Sequence, residues 1–192
     1  MLRSFIAVEV SREIQDAIAE SISILRKTLP KPLVHWVTPG NVHLTLKFLG
    51  DVAPSRLEQL AQFLKKGIGS LGPFPMPIGM FGAFPDSRRA RVLWIGIQAP
   101  PALVTLQKEV DAIAAQLGYA PEERPFSPHL TIGRVGQGLS ASDRLRIRTA
   151  LEAVKIGALG VVQVDAVHIF KSDLRPGGSV YTNLYTLPLG SK

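Results

Sequence analysis

Cysteine is absent from the 192 residues, which removes disulfide bridges, thiolate metal sites and cysteine nucleophiles together. No apolar run approaches the ~20 residues that a membrane-crossing helix needs. The short N-terminal apolar run from Phe5 to Val8 is broken by Glu9 and by the polar stretch from Ser11, too early for the core of a secretory signal. No Gly-Lys-Ser/Thr phosphate loop occurs anywhere, so triphosphate chemistry of that kind is unsupported. Linker-like and low-complexity tracts are also missing. These absences predict a soluble, cytoplasmic chain with no membrane partner. The length suits one domain, spanning 1–192, with enough residues to bury a sizeable core.

The charge balance is uneven: 22 Lys and Arg stand against 15 Asp and Glu, a formal net charge of +7. A basic surface favours anionic partners through long-range steering, and nucleic acid is the natural candidate. Charge alone only supports that reading, because many small proteins are basic without binding anything. Two arginine clusters, Arg88, Arg89 and Arg91 and then Arg144, Arg146 and Arg148, are either RNA contacts or a solvated charged face.

Apolar periodicity predicts a strand at Arg3 to Val8, a helix from Ser11 to Leu29 stopped by Pro30, and a helix beginning at Ser55-Arg56-Leu57-Glu58 with capping-box spacing and Gly67 beyond its end. Phe74 to Phe84 and Val92 to Ile97 read as a hairpin. Pro101 to Leu117 reads as an amphipathic helix closed by Gly118. A helix over Ser142 to Val154 precedes two strands near Val161 to Lys171 and Val180 to Leu187, separated by Arg175-Pro176-Gly177-Gly178. Strands joined both by hairpins and by helices indicate an α+β fold, with helices packed on antiparallel sheets.

Within this pattern the tripeptide His-Leu-Thr occurs twice, at His43 to Thr45 and His129 to Thr131, each with a proline four residues before its histidine, Pro39 and Pro125. Side chains alternate along a strand, so His43 and Thr45 share one face while Val42, Leu44, Leu46 and Phe48 take the other. His129 and Thr131 share a face in the same way. One such tripeptide would be an ordinary sheet edge; its duplication argues for a site. If the two strands face each other, two imidazoles and two hydroxyls converge. Histidine titrates near neutrality and can serve as base or acid, and threonine can donate to a nonbridging phosphate oxygen. The chemistry indicated is acid–base catalysis on a phosphoester. A catalytic zinc typically needs three protein ligands, and the motifs supply two histidines. His35 and His168 could join them only by accident of folding, and their simpler reading is as strand positions. No metal and no cofactor are expected.

The chain resembles the RNA 2′,3′-cyclic phosphodiesterases, also called 2′-5′ RNA ligases, of the two-histidine (2H) phosphoesterase superfamily. The resemblance runs from Arg3-Ser4-Phe5-Ile6-Ala7 through Trp36-Val37, His43 to Gly50, Gly82 to Pro85 and Arg91 to Trp94. It continues over Arg124 to Arg134 and ends with Tyr181, Leu184, Pro188 and Leu189. It implies a bilobal fold in which two antiparallel sheets with pseudo-twofold symmetry form a V-shaped groove, helices lying on the outer faces. It also implies metal-independent opening of an RNA 2′,3′-cyclic phosphate to a 2′-phosphate, with 2′-5′ ligation as the reverse reaction. The implied catalytic residues are His43 and His129, with Thr45, Thr131 and Arg134 binding substrate. Strict alternation would put Arg134 opposite His129, so a bulge or the strand's end must intervene. In-line displacement places the attacking water and the departing O3′ on opposite sides of phosphorus. The expected roles are His43 as the acid on O3′ and neutral His129 as the base on water. The expected partner is RNA ending in a cyclic phosphate, tRNA fragments included, acted on by a monomer. The competing readings are a noncatalytic RNA-end binding module and a 2H enzyme acting on 2′,5′-oligonucleotides or an ADP-ribose cyclic phosphate.

Overall fold

A computed structural model describes residues 1–176 and 178–190. Gly177, inside the expected turn Arg175 to Gly178, lies outside the described residues. The strands are β1 (Leu2–Glu9), β2 (Val34–Trp36), β3 (His43–Val52), β4 (Phe74–Phe84), β5 (Val92–Ile97), β6 (His129–Val135), β7 (Ala158–Val164), β8 (Ala166–Arg175) and β9 (Gly178–Pro188). The helices are α1 (Arg12–Thr28), α2 (Pro54–Ile68), α3 (Pro101–Gln116) and α4 (Ala141–Ala153), with a 3₁₀ turn at Pro39–Asn41. No described helix is long and apolar enough to cross a membrane.

All strand pairs are antiparallel, in the order β7-β4-β5-β6-β3-β1-β8-β9, with β2 also on β6. The two expected sheets are the two halves of this order. They meet at β3 and β6, which share one registered pair, Leu44 opposite Leu130. Beyond it the motif strands part, and β2 takes up the pairing of β6 from Gly133 to Val135. Each half of the chain runs strand, helix, motif strand, helix. The last strand of the first half, β4, then pairs with β5, which opens the second, and β8 of the second half pairs with β1, which opens the first. This exchange interlocks the lobes.

One apolar core runs behind both halves. Leu44 and Leu46 of β3 and Leu130 and Ile132 of β6 join Ile14, Ile18, Ile22 and Leu25 of α1, Leu57, Leu60 and Leu64 of α2 and Leu103, Leu106 and Val110 of α3. The α1 residues form one stripe at helical spacing, which only a helix can bury together. Ile18 is fully buried, and burying such a side chain stabilises by roughly 1.5–3 kcal/mol. The apolar sides of the motif strands thus belong to the core, and their histidines and threonines are left on the opposite face.

Several expectations need correction. Ala53 caps α2 and Pro54 is its first residue; proline's fixed φ and missing N–H suit that position. Ser55 is therefore inside the helix, and its spacing to Glu58 makes no capping box. The helix also runs through Gly67 to Ile68. The capping box of this protein is at α4, where the Ser140 side chain accepts from the Asp143 N–H and Asp143 accepts from the Ser140 N–H. Near the C-terminus, where two strands were expected, there are three, since Asp165 separates β7 from β8 and these lie in opposite halves of the sheet. The three-residue β2 is too short to show a period of two.

Candidate active site

Each motif strand carries a bulge just after its threonine. In the β1–β3 pairing Ala7 faces Thr45 and Ile6 faces Lys47, leaving Leu46 as an extra residue. In the β5–β6 pairing Trp94 faces Thr131 and Leu93 faces Gly133, leaving Ile132 extra. A bulge resets alternation. Leu46 and Lys47 are both buried, and Phe48, expected on the core face, is 71% exposed on the groove side. The bulge that Arg134 required is present, and Arg134 lines the groove with His129 and Thr131. Phe48 and Arg134 hold the same offset from their threonines, one in each lobe. That shared offset was the sequence signal for Phe48.

The groove between the lobes has a volume of about 1080 Å³, and all four motif side chains, His43, Thr45, His129 and Thr131, line it. Nδ1 of His43 lies 2.8 Å from the Asn41 carbonyl oxygen, and Nδ1 of His129 lies 2.7 Å from that of Ser127. A carbonyl only accepts, so Nδ1 carries hydrogen in both rings and Nε2 is the nitrogen that carries none in the neutral form. The Asn41 side chain in turn donates to the Ser179 carbonyl at 2.8 Å, tying the turn before β3 to β9.

The rings are also held from behind. His43 stacks on Phe5 at a centroid distance of 4.7 Å, Phe5 stacks on Phe170 at 5.4 Å, and the edge of Tyr181 meets His43 at 5.1 Å. Phe84 meets His129 edge to face at 4.9 Å. Burial among these rings lowers the pKa of His43 from the usual imidazole value, and the Asn41 hydrogen bond opposes that shift only in part.

Beyond the motifs, Arg3, Arg134 and Arg175 line the groove, and among the described residues no carboxylate does. His35 is also a lining residue, whereas His168 is not. His168 sits on β8 beside Glu9, Asn183 and Thr186. Among the described residues, no group of three or more His, Asp or Glu side chains is arranged to hold a metal. Neither arginine cluster lines the groove: Arg89 pairs with Asp86 at 3.2 Å and Arg148 with Glu152 at 2.8 Å.

Under the groove floor, the buried Lys47 ammonium pairs with Asp111 of α3 and donates to the Ala120 carbonyl at 2.7 Å. Asp111 also accepts from the Glu122 N–H at 3.3 Å. A motif strand of one lobe is thereby tied to the segment leading into the motif of the other.

The family profile for LigT like Phosphoesterase matches this chain twice, over residues 8–94 and 95–181, each match containing one His-x-Thr motif. The chain belongs to the LigT-like phosphoesterases. Among its relatives, the RNA 2′,3′-cyclic phosphodiesterase of Methanothermobacter thermautotrophicus is 32% identical over 184 residues, covering 95% of this chain and 96% of that protein. The protein of the same name from Aquifex aeolicus is 32% identical over 196 residues, covering 99% and 98%. Among solved structures, E. coli LigT complexed with 3′-AMP superposes with a TM-score of 0.77 at 25% identity, covering 98% of each chain. TT0787 of Thermus thermophilus has the same fold, with a TM-score of 0.81 at 24% identity and 99% coverage of each chain. The boundary between the two matches in this LigT-like phosphoesterase falls within β5, the strand that opens the second half of the chain.

Proposed function

We propose that this LigT-like phosphoesterase hydrolyses RNA 2′,3′-cyclic phosphate ends to 2′-phosphates by metal-independent acid–base catalysis. The observation that carries the reading is the pair of imidazoles, each held through Nδ1 by the carbonyl two residues upstream, in a groove lined by arginines and, among the described residues, by no carboxylate. The names of the relatives support the substrate class, and E. coli LigT has been solved with 3′-AMP and with phosphate. Residues 1–192 act as one two-lobed unit, because one core runs through both halves. A monomer suffices, since both motifs come from one chain. The substrates are RNA fragments such as cleaved tRNA, met in the cytoplasm.

In the proposed step neutral His129 takes a proton from water through Nε2 as the water oxygen attacks phosphorus. The P–O3′ bond breaks, and His43 delivers its Nε2 proton to O3′. Thr45 and Thr131 donate to the nonbridging oxygens, where charge builds in the transition state, and Arg134 binds the RNA within the same groove. Burial favours neutral His43 while no anion is near. A phosphate charge ~4 Å away favours the imidazolium by about 4 kcal/mol at an effective dielectric of 20, so substrate binding loads the acid. The same step with a 5′-hydroxyl in place of water as the attacking group leaves a 2′-5′ linkage, which is the ligation reaction.

The test is incubation of an oligonucleotide ending in a 2′,3′-cyclic phosphate in excess EDTA, followed by identification of the hydroxyl that keeps the phosphate. The expected result is turnover to the 2′-phosphate. A 3′-phosphate product would exchange the roles of His43 and His129. Activity abolished by EDTA and restored by Zn²⁺ or Mn²⁺ would overturn the metal-free mechanism. Binding without turnover would leave an RNA-end binding module.

A further inference from the structure

We propose that His35 and Arg134 form a second anion subsite, which takes the phosphodiester chain upstream of the terminal nucleotide. The proposal rests on the reading of the groove as a cyclic-phosphate site and adds where the rest of the RNA runs. His35 of β2 is directly opposite Arg134 of β6, so their side chains leave the sheet on one face as nearest cross-strand neighbours. Both are exposed and both line the groove. An imidazole donates an N–H in either protonation state and a guanidinium donates several, so the pair suits phosphate oxygens.

Position decides which phosphate. Four ladder steps separate Arg134 from His129 once the bulged residue is discounted, and at ~3.3 Å per step this places the pair ~13 Å along the strand. The phosphate gripped by the two motif histidines is out of reach of the short His35 side chain. The next charges along the RNA are within it. The pair is also firmly seated. Trp36 Nε1 donates to the Leu29 carbonyl at 3.2 Å, and the Val37 N–H donates to the Ile132 carbonyl at 2.9 Å. Gly133 has no Cβ to strike Val34 and Trp36, where one would come within 2.9 Å and 3.1 Å of them. Because β2 pairs with β6 and no described strand takes the equivalent place beside β3, the subsite makes the pseudo-symmetric groove directional. Upstream RNA leaves over the second lobe.

The experiment compares adenosine 2′,3′-cyclic phosphate with a trinucleotide ending in the same group whose two upstream units lack bases, so that the added contacts are to phosphate and sugar alone. For the wild-type chain we expect kcat/KM to be about tenfold higher for the trinucleotide, the value of one charge-assisted hydrogen bond of about 1.4 kcal/mol. Its KM should also rise more steeply with salt, by a log–log slope of roughly 0.7 per phosphate held. His35→Ala should remove most of the trinucleotide advantage and His35→Arg should restore it. An advantage undiminished in His35→Ala, or no advantage in a wild-type chain that turns over adenosine 2′,3′-cyclic phosphate, would overturn the subsite. Failure of the wild-type chain to open either substrate would instead overturn the functional reading beneath it.

Discussion

Cutting the Lys47–Asp111 pair from its two ends should have unequal consequences, because its partners differ in access to water. The Lys47 side chain is 4% exposed and that of Asp111 is 20% exposed. Asp111→Ala leaves an ammonium sealed beneath the groove with the Ala120 carbonyl as its remaining named partner, an uncompensated buried charge that costs about 3–5 kcal/mol. Lys47→Met keeps the length and apolar stem of the side chain. It orphans the Ala120 carbonyl, but Asp111 retains the Glu122 N–H and some water, so the cost should be about 1–3 kcal/mol. Lys47→Met with Asp111→Leu removes both charges and replaces them with apolar volume, which is often neutral or stabilising in other proteins. One kcal/mol shifts Tm by about 2–4 °C for a domain of this size. Asp111→Ala should therefore lower Tm by roughly 6–20 °C and Lys47→Met by clearly less, and the double variant should recover most of the loss, as read by denaturant and thermal unfolding at neutral pH. Equal losses for the two single variants, or a double variant as unstable as Asp111→Ala, would refute the argument from unequal solvation.

His43→Ala and His129→Ala should each lower kcat by at least ~10²-fold, the lower end of general acid–base contributions, while Thr45→Ala and Thr131→Ala cost less because other donors remain; near-normal turnover in either histidine variant would contradict the assignment. Burial lowers the pKa of both His43 and His168, so the unfolded chain binds more protons just below its imidazole pKa near ~6.5, and stability present above that value is lost as pH falls toward the folded values. Melting curves at pH 7.5 and 5.0 should therefore show a drop that narrows in His43→Gln and His168→Gln, and a drop unchanged in both variants would exclude these two histidines as its source. A Cβ at Gly82 would run into the indole of Trp94, which packs 5.2 Å from Phe84, the ring behind His129. Gly82→Ala should thus lower both Tm and kcat, and wild-type values for both would show that the indole can move aside freely.

The chain of residues by itself determined the α+β class and pointed to the candidate site. Duplicated His-Leu-Thr, with the shared upstream proline, identifies both motif strands because a period of two puts histidine and threonine on one face and leucines on the other. The helical stripes of α1 and α3 were legible for the same reason: burial enforces a period that composition displays. What lay beyond local periodicity was decided by tertiary structure. The bulges after Thr45 and Thr131 exist only as mismatches in register with β1 and β5, and they turn Phe48 into the groove and bring Arg134 to the side of His129. Proline at the first position of α2 overrode a capping-box spacing that a linear reading accepts. Nothing in the residues around Lys47 marks it as buried, and it is buried because Asp111 and Ala120, distant along the chain, fold against it. His35 lines the groove for a similar reason. Its short strand has no periodicity of its own, and its place beside Arg134 comes from the parting of β3 and β6, a long-range pairing that no local stretch of residues encodes.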